Sequence, residues 1–292
     1  MTFKERLDAY ERLTRLDKPI GALLLGWPAL WALWLARRTM PEFEVLVIFV
    51  LGVLLTRSAG CIVNDVADRR FDLHVQRTRE RPVTTGVIAP GEALLLAAAL
   101  LAVAFILVAL LNRLTVLLSF AALAIMVVYP FLKRFFAFPQ AGLGIAFSFG
   151  VPMAYAAQLS YIPASGWMLM AATFFWIIAY DTEYAMVDRD DDARLGLNSS
   201  ALFLGRFDVA GVMLAHAAFL GIMTVLGRWQ KLGPLYFAGL AVATALALYQ
   251  FWLIRGRDRD RCFRAFLNNN WMGLAVFAGL ALDLHLKSGM LR

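Results

Sequence analysis

Residues 45–55 read VLVIFVLGVLL, and the chain runs on through TRSAGCIV at 56–63 into NDVADRRFD at 64–72. Apolar side chains on every face of a helix suit lipid rather than the one-sided core of a soluble domain. The same texture recurs along all 292 residues: 61% are hydrophobic, 17% are charged and mean hydropathy is +0.68. An ordinary soluble domain has about a quarter of its residues charged. The apolar runs are about 18 to 23 residues long, enough to cross a hydrocarbon core of roughly 30 Å as helix, and they lack the alternation of outer-membrane strands. The fold class is therefore all-α, a polytopic membrane protein.

Nine transmembrane helices are predicted, over 20–37, 43–63, 93–112, 114–132, 138–158, 165–187, 208–227, 233–254 and 270–287. Pro130, Pro139 and Pro152 make the fourth and fifth the ones to kink or end early. The first 18 residues are polar and charged, which predicts no cleavable signal peptide and leaves the first span as signal anchor. Of the 28 lysines and arginines, 20 fall in connections on the N-terminal side of the membrane and 7 in connections on the other. That bias places the N-terminus in the cytoplasm, and an odd number of spans places the C-terminus on the outer side. The formal net charge of +7 reflects this bias and attraction to anionic membrane lipid, not nucleic-acid binding. Cys61 and Cys262 are too few for a metal cluster or a disulfide framework and read as packing residues. His74, His216 and His285 share no ligand spacing and read as packing or interfacial residues. The longest connection, 64–92, contains no linker composition, so residues 1–292 read as one transmembrane domain. The connections after spans two and six are long and rich in Asp and Arg, which points to an active site facing the cytoplasm.

NDVADRRFD continues span two as helix. At 100° per residue, Asn64, Asp68 and Asp72 step round by about 40° each and Asp65 lies near Asp72, while Arg69 and Arg70 point elsewhere. Carboxylates crowded on one face repel, and a single one brought to mid-bilayer costs about 3 kcal/mol. YDTEYAMVDRDDD at 180–192 closes span six in the same way. There Asp181, Asp188 and Asp192 share a face within about 40°, Tyr184 and Asp191 flank them, and Glu183 and Asp190 fall on the far side. Acids at a helix end are commonly solvated loop charges. Spacing on one face, recurrence after span six and placement on one side of the membrane separate these from that case.

Two facing acid clusters can share two or three divalent ions, and Mg²⁺, a hard ion that takes carboxylate oxygens, leaves room for water and phosphate. The nearby cations Arg57, Arg77, Arg79, Arg81, Lys133 and Arg134 are residue types that grip phosphate or carboxylate. The positive-inside bias accounts equally for Arg77 to Arg81. Arg57 lies inside span two, where an ionisable side chain is a functional candidate by default. Acids and bases around a metal suggest a diphosphate, and in a membrane protein a polyprenyl diphosphate. A divalent-cation transporter using the same acids is the rival from another class; no matching mid-membrane or external acids complete its path.

NDxxDxxxD and YDxxYAxxDxxDD, together with DKPIG at 17–21, RTRERP at 77–82, YPFLKR at 129–134 and AFLNNNW at 265–271, resemble the UbiA superfamily of intramembrane aromatic prenyltransferases. Within it, YDTEYAMVDRDDD, DKPIG and NNNW look like the bacterial 4-hydroxybenzoate polyprenyltransferases. The resemblance implies that Asp68, Asp72, Asp188 and Asp192 bridge Mg²⁺ to the diphosphate, with Asn64, Asp65, Asp181 and Asp191 supporting them or completing the shell. It implies that Arg57, Lys133 and Tyr129 surround the diphosphate, with Tyr184 also on the substrate side. Arg77 and Arg81 would belong to a loop capping the site, and one of these arginines would take the carboxylate of the aromatic acid. The implied substrates are a polyprenyl diphosphate and 4-hydroxybenzoate, joined ortho to the hydroxyl in ubiquinone biosynthesis. A naphthoate or homogentisate acceptor would keep the same chemistry.

Overall fold

The computed structural model describes residues 2–75, 78–132 and 134–290. Among them every regular element is helical: α1 (Phe3–Thr14), α2 (Ile20–Arg37), α3 (Phe43–Asp72), α4 (Pro90–Ala109), α5 (Arg113–Leu132), α6 (Gln140–Ser148), α7 (Gly150–Leu159), α8 (Ala164–Leu195), α9 (Ser200–Leu204), α10 (Asp208–Trp229), α11 (Pro234–Ile254) and α12 (Arg259–Met290). Eight stretches among the described residues are long and apolar enough to cross a membrane: α2, α3, α4, α5, 140–159, 200–229, α11 and 259–288. The remaining expected span, 165–187, is realised within α8, which is not one of the eight.

The reason is position. α8 packs against α10, α6, α12, α7 and α2, and its Leu169, Trp176, Ile177 and Tyr180 lie in the core shared with Trp31, Phe219 and Met272. A central helix meets protein on most sides and can carry the polar side chains that a lipid-facing one cannot. α4 and α5, by contrast, turn most of their surface outward, with Leu95, Ile106, Leu117 and Phe120 exposed.

Pro130 is accommodated inside a continuous α5, whereas the fifth predicted span breaks at Phe149 into α6 and α7. Pro152 has no N–H to give the Ser148 carbonyl, so α6 ends at Ser148 and the proline falls in the first turn of α7, where it is tolerated. α11 and α12 cross at Gly239 and Gly279, where a Cβ would stand 2.6 Å and 2.8 Å from backbone carbonyls of the facing helix. Only glycine allows that approach. Cys61 and Cys262 are buried free thiols, in keeping with packing roles.

α3 is 30 residues long, about 45 Å at 1.5 Å per residue, while a hydrocarbon core takes up about 20 of them. The acids of NDVADRRFD therefore ride on the part of the helix that projects past the apolar stretch. α8, at 32 residues, does the same with its own acids. α5 and α8 run in the same direction as α3, so the C-terminal ends of all three, and the N-terminal ends of α2, α10 and α12, gather at one end of the bundle.

Candidate active site

The α3 cluster is sealed. Asp65, Asp68 and Asp72 are 1%, 2% and 5% exposed, while Arg69 and Arg70 point to solvent as the helical wheel predicts. Arg15, just beyond α1, donates through Nη2 to both oxygens of Asp65 at 2.7 and 3.0 Å. Arg81 Nη1 stands 2.9 Å from Asp65 Oδ1 and 2.8 Å from Asp72 Oδ2, joining the two carboxylates. The loop that supplies Arg81 is fastened to the helix end by Thr78 Oγ1, which donates to the Asp72 carbonyl at 3.0 Å. Arg134 donates to the Ala67 carbonyl at 2.6 Å and lies over the rings of Phe71 and Phe131. Arg79 is exposed beside Glu80 and is not brought to the cluster. Arg77 and Lys133 lie outside the described residues.

The α8 cluster is more open. Asp181, Tyr184, Asp188 and Asp192 are half-buried and Asp190 is exposed. Arg259, at the start of α12, donates to Asp191 Oδ2 at 2.8 Å and stands 3.6 Å from Asp188 Oδ1. On the outer side of the helix, Arg189 reaches Asp208 at 2.7 Å. Arg257 also hydrogen bonds to Asp208, which holds the Arg257 guanidinium above its ordinary pKa. The Tyr184 ring packs on Phe266 with centroids 4.6 Å apart.

Tyr129 sits between the clusters, with Arg57 beside it. Gly21 makes room for the arginine, since a Cβ there would lie 2.4 Å from Arg57 Nε. The guanidinium stands 5.6 Å from the centroid of the Phe147 ring, and its buried Nε has no hydrogen-bond partner among the described residues. Tyr129, near the end of α5, is within electrostatic reach of Arg57, of Asp68 on α3 and of Asp181 on α8, so one side chain senses both acid clusters. Arg57 in turn senses Tyr129, Tyr180 and Tyr184. An apolar cleft opens between α2 and α3, lined by Leu23, Trp27, Leu30, Phe49, Val53 and Leu54. It starts within one helical turn of Arg57.

Residues 25–275 match the UbiA prenyltransferase family. The chain belongs to that family. This UbiA prenyltransferase is 60% identical over 283 residues to the protein of Nitrosospira multiformis named 4-hydroxybenzoate octaprenyltransferase, covering 97% of this chain and 98% of the relative. Its fold superposes on the apo UbiA homologue from Aeropyrum pernix K1 with a TM-score of 0.78 at 26% identity, over 89% of this chain and 97% of the other. The Archaeoglobus fulgidus UbiA homologue, whose structure holds GPP and Mg²⁺, shares the fold with a TM-score of 0.69 at 19% identity, over 92% of this chain and 99% of its own.

Among the described residues of the prenyltransferase, no three His, Cys, Asp or Glu side chains close around one point as a ready-made metal site. The donor set nonetheless suits a hard divalent ion: carboxylates of α3 and α8, with a tyrosine within electrostatic reach of both. An ion that takes one or two carboxylates and completes its shell with phosphate oxygens and water needs no tighter cage. A carboxylate has about four lone-pair sites, so Asp65, Asp72 and Asp191 can accept their arginines and keep capacity for an ion.

Sequence reasoning did not single out Arg15 and Arg259, although each counters an acid cluster. Arg15 stands two residues before DKPIG, and Arg259 lies in a basic connection that also serves topology.

Proposed function

We propose that this UbiA prenyltransferase transfers a polyprenyl group from polyprenyl diphosphate to the ring carbon of 4-hydroxybenzoate ortho to the hydroxyl and meta to the carboxylate, in ubiquinone biosynthesis. The observation that carries the reading is that the two acid-bearing helix ends converge on Tyr129, with Arg57 beside it. The name of the 60% identical relative supports the choice of acceptor. The protein acts as one domain of nine spans in the bacterial inner membrane, N-terminus and site toward the cytoplasm.

Asp68 and Asp72 from α3 and Asp188 and Asp192 from α8 would hold Mg²⁺, with Asn64, Asp65, Asp181 and Asp191 supporting them; the Mg²⁺-bound Archaeoglobus homologue supports the choice of ion. When bound, the ion neutralises the charge that grows on the departing diphosphate. Arg57, whose buried Nε has no hydrogen-bond partner among the described residues, donates to the diphosphate together with Lys133, while Arg77 and Arg81 cap it from the loop after α3. The allylic C–O bond breaks with its electron pair going to the diphosphate. The ring carbon then bonds the allylic carbon, and loss of its proton restores the aromatic ring. Tyr184, seated on Phe266, and Tyr129 offer ring faces to the allylic cation. The apolar cleft between α2 and α3, which begins beside Arg57, takes the prenyl chain and keeps water from the cation.

The test is product analysis of purified protein given Mg²⁺, prenyl diphosphates of several lengths and a panel of 4-hydroxybenzoate, naphthoate and homogentisate. Metal-dependent formation of 3-polyprenyl-4-hydroxybenzoate is expected. Prenylation of another acceptor in preference would overturn the substrate assignment, and metal flux without prenyl transfer would overturn the enzyme.

A further inference from the structure

Three consecutive asparagines in a spanning helix are costly to hold in lipid unless each finds a partner. In α12 each finds one on a different helix. Asn268 Oδ1 accepts from Gln250 Nε2 of α11 at 3.0 Å, and Asn270 Oδ1 accepts from Trp27 Nε1 of α2 at 3.0 Å. Between them, Asn269 Oδ1 accepts from Trp176 Nε1 at 3.0 Å and Asn269 Nδ2 donates to Glu183 Oε2 at 2.8 Å, both on α8. Successive helical residues point about 100° apart, which is why three neighbours in sequence reach three neighbours in space.

The α8 contact differs from the other two. Trp176, Glu183 and Asn269 are all fully buried, and one asparagine side chain holds α8 at two points seven residues, or two turns, apart. One tether would leave the helix free to turn about it; two tethers set both rotation and slide. His216 of α10 closes the other side of Glu183, with Nε2 3.8 Å from Oε1. On the helical wheel Trp176 and Glu183 lie opposite Asp181, Asp188 and Asp192. A carboxylate about 6 Å from the helix axis moves about 2 Å if the helix turns by 20°, a whole Mg–O bond length.

We infer that Glu183 and Asn269 are positioning residues which set the azimuth at which α8 presents its acids to the metal and diphosphate. The inference rests on the metal-assisted reading above. None of these residues touches the reacting atoms; they act through Asp181, Asp188 and Asp192.

The test measures Mn²⁺ uptake by purified protein in inorganic diphosphate, read from the EPR signal of free Mn²⁺, beside the Mg²⁺ dependence of prenyl transfer. Asn269→Leu is expected to weaken Mn²⁺ binding by about tenfold or more, the range found when residues behind metal ligands are removed. In that variant, half-saturating Mg²⁺ rises in step while turnover recovers at high Mg²⁺. Trp176→Phe removes one tether and keeps the ring, and a shift of about threefold in the same direction is expected. Glu183→Gln keeps an oxygen to accept from Asn269 and stays within about twofold of the parent, whereas Glu183→Leu behaves like Asn269→Leu. If the leucine variants fail to fold, Trp176→Phe and Glu183→Gln carry the test. Parent-like Mn²⁺ affinity in Trp176→Phe or Asn269→Leu would overturn the inference, as would Glu183→Gln losing affinity as far as Glu183→Leu. A parent protein that takes up no Mn²⁺ at all would instead sink the metal reading beneath it.

Discussion

The acid-bearing ends of α3 and α8 resemble each other in sequence and differ in how they are held. At α3 the carboxylates are 5% exposed or less, and two arginines, Arg15 and Arg81, converge on Asp65. At α8 Asp181, Asp188 and Asp192 are half-buried, and Arg259, itself 39% exposed, counters Asp191 and Asp188 from the rim. Charge at α3 is thus held by pairing within the acid face. Charge at α8 is held by what grips the helix elsewhere: Asn269 on Glu183, and Asp208 on Arg189. Burial decides which device is needed, because an unpaired carboxylate is far more costly out of water than at the rim.

The largest effect is expected where the two ends act as one. Asp68→Ala on α3 and Asp188→Ala on α8 should each cut turnover by about a thousandfold, as loss of a group that stabilises transition-state charge does, while inserting and folding normally. A tenfold loss at one and a thousandfold at the other, in a radiolabelled prenyl-transfer assay, would break the equivalence. Next comes stability, where the ends should part. Asp65→Asn strands Arg15 and leaves Arg81 with Asp72 alone, and should cost about 3 kcal/mol, read as a lower thermal midpoint in detergent. Arg57→Ala removes a charged donor beside Tyr129 and should raise the KM for prenyl diphosphate by about tenfold, with kcat falling less. The smallest effect belongs to the rim: Asp191→Asn leaves Arg259, itself 39% exposed, to water and should cost under about 1 kcal/mol. Equal midpoints for Asp65→Asn and Asp191→Asn would erase the contrast.

Much of this was legible in the chain because lipid is a strict reader. Apolar runs of bilayer length have one stable form, so the helices occur where predicted, and the face shared by Asn64, Asp68 and Asp72 follows from helical geometry alone. The break at Phe149 was not legible, because Pro28 and Pro130 are carried inside continuous helices while Pro152 stands three residues past a break. The wheel put Glu183 on the far side of α8 but could not name its partners, which come from α10 and α12, 33 and 86 residues on. Arg15 and Arg259 escaped notice for the same cause. Ion pairs between distant segments leave no periodicity behind; the asparagine triplet did leave a signal, three polar side chains in a row where lipid permits almost none.

The pairing of Arg15 with Asp65 also bears on how the protein is made. Arg15 and Arg81, which pair with Asp65, and the small core beneath them, from Ala9 to Ala97, belong to the first third of the residues. That half can close while the ribosome is still extending the rest. Its counterpart waits for Asn269, 188 residues after Arg81, so the two halves of one site are completed far apart in synthesis, and a nascent chain stalled after α8 would carry the Arg15 and Arg81 pairs of α3 facing an α8 still free to turn.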